Sequence, residues 1–347
     1  MASILAFFRR LLHLLGLGGR AQQDGQASAP SSPASAPPGS PAPVETPTLG
    51  AGKPAPVSPT LALPQLMAIA GQFPSRGGTG SASFTQGMVQ SFAGFVPAYG
   101  APRAEGQTYA IAQNQALVAI IGMNFGGDPP MRIAIPNLNG RVAVGGQEIG
   151  MFGPGKLVMT WLIATGASAV PPVPGMLAMF GGNYAPDGWA ICDGTLMAIV
   201  QNVPLFEAIG AAFGGNGETN FALPNLNGGA APVGAGQGPG RPAVTVGQQV
   251  AGPIPGLGAN YLISTAGAFP PGSGTGAFPE TGQYLGQVIA FAGAQAPAGW
   301  ALCDGSLQQI SGNPPLFELI GTTYGGDGQS TFALPDLRGR MVTGLAG

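Results

Sequence analysis

Charged side chains are scarce in this sequence. Lysine, arginine, aspartate and glutamate together make up 7% of the 347 residues, whereas a typical soluble domain has about 25%. The formal net charge is −2 and no basic stripe is present, which excludes the electrostatic footprint of a nucleic-acid-binding protein. A weakly charged surface repels copies of itself poorly. The composition therefore favours a protein that assembles with others and works outside the cell.

Histidine and cysteine are nearly absent. The chain has one histidine, His13, and two cysteines, Cys192 and Cys303, which lie 111 positions apart. There is no Cys-x-x-Cys and no cluster of cysteine with histidine, so a zinc site lacks its ligands. The chain also lacks a histidine beside clustered acids, which makes an enzyme the weakest of the function classes. We expect no cofactor, no metal and no catalytic residue.

The first 20 residues are apolar but too short and too interrupted to span a bilayer, which needs about 20 mostly apolar residues. On a helical wheel they form an amphipathic helix, whose apolar face includes Phe7, Phe8, Leu11, Leu12 and Leu15. Three interpretations stay open: an anchor on a membrane surface or in a groove of a neighbour, a divergent export signal, or an ordinary packed helix. Residues 21–60, rich in Ala, Ser, Pro, Gly and Gln, predict an extended linker that proteases cut first.

An internal repeat organises the rest of the chain. Residues 175–229 and 286–340 share their landmarks without a gap at an offset of 111, and a weaker copy begins 88 positions earlier at Gly87. A second, shorter repeat precedes each copy, and we interpret it as a buried strand at 61–71, 157–167 and 257–267. The sequence thus predicts three modules, at 61–150, 151–252 and 253–347. Each has short strands and one short helix, so the fold class is α+β and β-rich.

Local patterns inside the modules predict particular turns and helices. Pro204 and Pro315 suit the first turn of a helix, where a missing N–H is harmless. We expect the glycine pairs that follow, Gly214-Gly215 and Gly325-Gly326 with Gly126-Gly127 in the first module, to end those helices.

The shared motifs resemble those of the phage tail collar domain. They are Gly-x-Trp-x-x-Cys-Asp-Gly, Pro-Leu-Phe-x-x-Ile-Gly and Phe-Ala-Leu-Pro-Asp-Leu-x-Gly-Arg. They look most like bacterial relatives of the microcystin-dependent-protein-like or tail-fibre-like kind. The first module is diverged, since Ala101, Ala104 and Glu105 stand where tryptophan, cysteine and aspartate belong.

The resemblance implies a structural, non-enzymatic module of phage fibres or bacterial surface proteins, one that works as a homotrimer in short tail fibres. Some members bind metal through His-x-His loops near the three-fold axis. This chain has no such loop, because His13 lies outside the modules.

Several motif residues have two interpretations each. Cys192 and Cys303 could form a disulfide between modules, although we favour two buried small hydrophobes. Trp189 and Trp300 could stack on a sugar, although core packing with a bonded indole N–H is the commoner role.

For the remaining motif residues the structural interpretation is also favoured. Asp193-Gly194 and Asp304-Gly305 read as Asp-Gly turns rather than catalytic carboxylates. Arg141 and Arg340 share one repeat position. They could bind an acidic ligand, but we expect them to satisfy turn carbonyls or a carboxylate.

The leading functional hypothesis is a structural subunit or tip of an extracellular, cell-surface or phage tail fibre, whose partners are other fibre subunits or copies of itself. The alternative is a surface adhesin that binds a glycan or receptor through loops 73–85 and 267–285. Three linked modules also suggest that one chain imitates a trimer as a pseudo-three-fold block. The competing arrangement is three collars in a row, each forming a trimer with other chains.

Overall fold

The computed structural model describes residues 60–69, 85–94, 101–150, 152–153, 155–166, 172–269 and 283–345. The predicted N-terminal helix, the predicted linker up to residue 59 and most of the two predicted binding loops lie outside these residues. All three predicted modules fall within one compact unit, Gly52–Gly347.

Short strands are the commonest regular elements of the described chain. In module one they are β1 (Thr60–Leu63), β2 (Gln65–Met67), β3 (Met88–Phe92), β4 (Thr108–Ala110), β5 (Gly127–Asp128), β6 (Arg132–Ala134) and β7 (Val142–Gly145). In module two they are β8 (Phe152–Gly153), β9 (Lys156–Ala164), β10 (Met176–Phe180), β11 (Trp189–Ile191), β12 (Leu196–Ala198), β13 (Asn220–Ala222), β14 (Ala231–Gly234) and β15 (Gln249–Val250). In module three they are β16 (Gly256–Ser264), β17 (Gln287–Phe291), β18 (Trp300–Leu302), β19 (Leu307–Gln309), β20 (Thr331–Ala333) and β21 (Met341–Gly344).

Each module carries one α-helix of seven residues, as its motif predicts. These helices are α1 (Gln115–Ile121), α2 (Val203–Ile209) and α3 (Pro314–Ile320), each preceded by one turn of 3₁₀-helix. Proline lies in the first turn of α2 and α3, which confirms the prediction for Pro204 and Pro315. Buried leucine and isoleucine side chains hold each helix against its module.

The prediction that the glycine pairs end the helices is wrong. The helices end four residues earlier, at Gly122, Gly210 and Gly321, whose φ angles are 54°, 58° and 54°. Glycine is the residue that adopts a positive φ without steric cost, so the chain leaves the helix there. The second glycine of each pair instead lies against the backbone of the strand that follows, where a Cβ atom would clash.

A sheet of 14 strands forms the core. Nine of them follow the order β1-β21-β7-β9-β10-β3-β17-β16-β14, and β2, β8, β11, β15 and β18 pair alongside. The two long strands are shorter than predicted, since β9 ends at Ala164 and β16 at Ser264. In module one the equivalent run is split into β1 and β2 at Pro64, because proline has no N–H to donate to a ladder.

One strand of each module lies in the middle of this sheet. The strands β3, β10 and β17 occupy equivalent repeat positions, and each pairs antiparallel with the other two. In every case the start of one strand lies beside the end of another, in the Cα pairs Met88–Phe180, Met176–Phe291 and Gln287–Phe92. The three strands therefore form a closed set of pairings.

The end of each module pairs with the beginning of a module. The last strand of module one, β7, runs parallel to β9, and β14 runs parallel to β16. The last strand of module three, β21, runs parallel to β1, the first strand of module one. We call these three parallel contacts the seams; the third joins the two ends of the repeat region.

Small hairpins also form, and although the sequence predicts a strand at β13 and at β20, it does not predict their partner strands. The hairpins are β12–β13, β19–β20 and, in module one, β4–β6 with β5. Their strands are two or three residues long, too short to show an alternating apolar pattern in the sequence.

Candidate functional site

The tryptophan of each motif belongs to the core. Trp189 and Trp300 begin β11 and β18. Their backbone N–H groups donate to the carbonyls of Pro186 and Pro297, respectively, at 3.1 Å. Both side chains are buried, with 6% and 7% exposed. The indole N–H of Trp189 has no hydrogen-bond partner within the protein, which differs from the expected bonded indole. A buried ring offers a sugar no face on which to stack.

The two cysteines are free, buried thiols, so the alternative of a disulfide between them is not realised in this structure. Burial, followed by the charge of Asp193, raises the pKa of the Cys192 thiol well above its usual value. Burial also raises the pKa of Cys303, with smaller effects from Asp304 and Asp336. Both thiols are therefore protonated at neutral pH, and a protonated thiol is a poor nucleophile.

In module one, Ala104 occupies the position that Cys192 has in module two. The N–H of Ala104 donates to the carbonyl of Gln65 at 2.7 Å, as the N–H of Cys192 donates to Trp161 at 2.9 Å. The carbonyls of Ala104 and Cys192 each accept a bond from the leucine of the Pro-Asn-Leu turn. This position needs a small buried side chain, and the described structure gives the sulfur no further partner.

The Asp-Gly pairs form turns that are stabilised by the aspartate itself. The Oδ1 atom of Asp193 accepts the N–H of Thr195 at 3.0 Å, and Asp304 accepts the N–H of Ser306 at the same distance. Gly194 and Gly305 follow with φ angles of 82° and 76°. Side-chain bonds of this type hold the chain in a tight turn, which is the structural role that the sequence favours for both aspartates.

The two arginines of the shared motif position lie in different surroundings. Arg141 donates through Nη1 to the carbonyl of Asn137 at 3.1 Å, which is a turn carbonyl. The Nε atom of Arg340 is buried and has no hydrogen-bond partner within the protein. The backbone carbonyl of Arg340 accepts the N–H of Gly234 at 2.9 Å, so this turn belongs to the seam between modules two and three.

A charged cluster that was not predicted lies at the same seam. Arg241 donates through Nη2 to Oδ2 of Asp336 at 2.6 Å and through Nε to the carbonyl of Arg338 at 2.7 Å. Arg338 donates through Nε to Oδ1 of Asp336 at 2.9 Å. Partial burial alone would raise the pKa of Asp336, but hydrogen bonds and charge from Arg338, with the charge of Arg241, lower it.

One signal in the sequence points to this cluster. Position 336 is aspartate, whereas the equivalent residues of modules one and two are Asn137 and Asn225. Arg241 lies in a Gly/Pro-rich loop, in which no pattern identifies a contact.

A cleft of about 260 Å³ opens at this seam. The end of module two supplies one wall and module three the other, and the polar side chains that line it are Gln237, Asn260, Asp304 and Arg338. The equivalent cleft at the seam between modules three and one has about 10 Å³. There Leu345 takes the place that Ala235 has in the larger cleft.

A small cavity of about 20 Å³ lies among the central strands. Equivalent residues of all three modules line it, among them Val89, Leu177 and Val288. Module one contributes polar side chains, including Gln65, whose buried Oε1 atom has no hydrogen-bond partner within the protein.

The comparison with family models decides the identity of the repeats. The model of the Phage Tail Collar Domain matches residues 87–143, 175–231 and 286–342. The chain carries three tandem domains of the phage tail collar family. Their starting points are 88 and 111 residues apart, as the internal repeat predicts. No curated protein and no solved structure matches the chain.

Membership of this family implies a general structural function. Phage tail collar domains imply a structural role in a tail fibre, they form fibre trimers with other subunits, and they are not known as enzymes. Within the described ranges, no three His, Cys, Asp or Glu side chains come together as metal ligands. No helix in the described part of the chain is long and apolar enough to cross a membrane.

Proposed function

We propose that this protein is a structural subunit or tip of a fibre in which one chain supplies all three collar positions, arranged as a pseudo-three-fold block. The mutual pairing of β3, β10 and β17 carries the proposal. In a homotrimer, three identical strands from three chains would make this closed set of contacts. Here one chain provides them, and the parallel contact of β21 with β1 joins its two ends.

Three glycines support the same arrangement. Gly145, Gly234 and Gly344 end β7, β14 and β21, the strands with which the three modules form the seams. A Cβ atom on each would overlap a backbone carbonyl oxygen of another module, at Leu226, Leu337 and Leu138 respectively. The same close approach thus recurs at every seam, in the cyclic order one to two, two to three and three to one.

Light scattering on the full chain tests the proposal. A pseudo-three-fold block gives a particle of one chain, and its mass does not change on dilution. Three collars in a row would instead give an obligate homotrimer, with the mass of three chains, and this result would refute the proposed block. Electron microscopy at higher protein concentration then shows whether these one-chain blocks join into filaments, as a fibre subunit requires.

The cleft between modules two and three favours a second candidate function, that of an adhesin that binds a glycan. Four polar side chains that carry two amides, a carboxylate and a guanidinium converge on it. Ligand sites combine enclosure with a few such polar groups, and a sugar ring presents hydroxyls to them.

A glycan array with two matched variants tests this second candidate. Ala235→Trp fills the larger cleft, and Leu345→Trp makes the same change at the equivalent seam. Loss of glycan binding with the first variant and retention with the second supports the adhesin. A wild-type protein that binds no glycan on the array contradicts it.

A further inference from the structure

Two glutamines are buried where the first and third modules meet among the central strands. Gln287 is the first residue of β17, and Gln90 is the third residue of β3; their exposed fractions are 0% and 4%. The side-chain Nε2 of Gln287 donates to Oε1 of Gln90. The Oε1 atom of Gln287 accepts the backbone N–H of Tyr284 at 3.3 Å, which fixes the orientation of its amide. The amide group of Gln287 therefore faces Gln90.

The other two contacts of the central strands have apolar residues at the same places. Gln287 lies opposite Phe92, two residues beyond Gln90 on the same face of β3. Gln287 is the first residue of its strand, and Gln90 is the third residue of the strand beside it. The same two places hold Met176 and Ile289 where β10 meets β17. They hold Met88 and Ala178 where β3 meets β10. The polar pair is thus confined to the contact between modules that do not follow one another in the chain.

Only one arrangement of the modules pairs the two glutamines. If three first modules from different chains came together, Gln90 would face methionine, and if three third modules did so, Gln287 would face isoleucine. If the modules followed the reverse order around the centre, Gln287 would face Ala178 and Gln90 would face Met176. Each of these alternatives breaks the bond between the two buried amides, which costs far more than a mismatch between apolar side chains.

We propose that the Gln90–Gln287 pair is a specificity determinant of assembly: it selects the contact of module three with module one and opposes association of like modules from different chains. The inference rests on the proposed pseudo-three-fold block. A single buried polar residue that fixes register and oligomeric state has the same physical basis in coiled coils. The pair does not add stability over an apolar pair, because burying amides offsets the gain of their bond.

The test compares single and double variants of the full chain by denaturant midpoint and by mass after refolding. Gln90→Ile and Gln287→Met each lower the midpoint, since each removes the bond between the two buried amides. The double variant Gln90→Ile with Gln287→Met copies the pair of modules two and three, and it regains at least the wild-type midpoint. The fraction of this double variant that refolds into particles of more than one chain rises about tenfold. A factor of ten is the order expected when the broken bond of a buried amide no longer disfavours these particles.

Ile289→Leu is the matched control, because it exchanges one apolar side chain for another at the position equivalent to Gln90 and leaves both readouts at their wild-type values. Met176→Gln is an independent variant that offers Gln90 a second partner, and it raises the share of larger species even if the double variant fails to fold. Refolding of both variants to one-chain particles as completely as the wild type would overturn the inference. A wild-type homotrimer would instead overturn the proposed block, so the two failures are distinguishable.

Discussion

At the scale of single residues, the close backbone approaches at the seams are made by glycines that lack any special φ angle. Gly234 lies in β14, where the backbone is extended and any residue could be accommodated locally. A Cβ atom added to Gly234 would point at the backbone carbonyl of Leu337 in the next module. The absence of a Cβ atom is therefore required by contact between modules and not by local conformation.

We expect Gly234→Ala to destabilise the folded block by about 1–3 kcal/mol, the usual cost of forcing an extra carbon into a packed interior. The free energy of unfolding from denaturant titration measures the change. Gly312→Ala is the control, because no atom lies within 4 Å of the added Cβ atom. Equal stability of the two variants would show that the seam is looser than the structure indicates.

The cysteines give a second prediction at this scale. Because both thiols are buried and their pKa values are raised, a thiol reagent at pH 7 should leave Cys192 and Cys303 unmodified in the folded protein. In denaturant without reductant, two thiols per chain should react. Recovery of no thiol after unfolding would show a disulfide and would contradict the free cysteines.

At the scale of elements, the sequence predicted the regular parts better than their ends. The helix positions followed from proline in the first turn and from apolar spacing, and these are local properties. The strand break at Pro64 was also readable in principle, because proline cannot donate to a ladder. The glycine pairs were misassigned because Gly210 and its equivalents leave the helix earlier, and the pairs are needed for the packing of a later strand.

The loop between β14 and β15 gives a prediction at this scale, since Arg241 joins it to module three through Asp336. The pKa of Asp336 is lowered in the folded protein. The pair therefore stabilises the fold above the unfolded pKa of about 3.9, and this contribution is lost as the pH falls through the lower folded pKa. We expect Asp336→Asn to cost ~1 kcal/mol at pH 7 and progressively less as the pH falls below the unfolded pKa.

Unfolding titrations across pH measure this difference. Arg241→Ala should show the same loss with pH, whereas Arg103→Ala, at an ion pair of 3.7 Å with more exposed side chains, should show less. Stability curves of wild type and Asp336→Asn that stay parallel from pH 7 to pH 2 would contradict the assigned role.

At the scale of the whole molecule, the N-terminal segment remains a proposal from the sequence. Its apolar side chains Phe7, Phe8, Leu11, Leu12 and Leu15 precede a long linker. We expect deletion of residues 1–20 to leave the three collar domains folded but to abolish attachment to lipid vesicles or assembly into fibres. Sedimentation with vesicles and electron microscopy measure the two effects. Normal attachment and normal assembly of the shortened chain would rule out the anchor.

The sequence by itself determined the number of collar repeats, the positions of the short helices and the turn chemistry. These properties depend on residues close together in the chain and on patterns that repeat within it. The tertiary structure alone decided which strands meet, because pairing joins residues of different modules and no local pattern encodes a partner. The contact of β21 with β1, the glutamine pair and the Arg241–Asp336 cluster all belong to this second group. Each connects residues about 100 or more positions apart, which only the contact of different modules brings together.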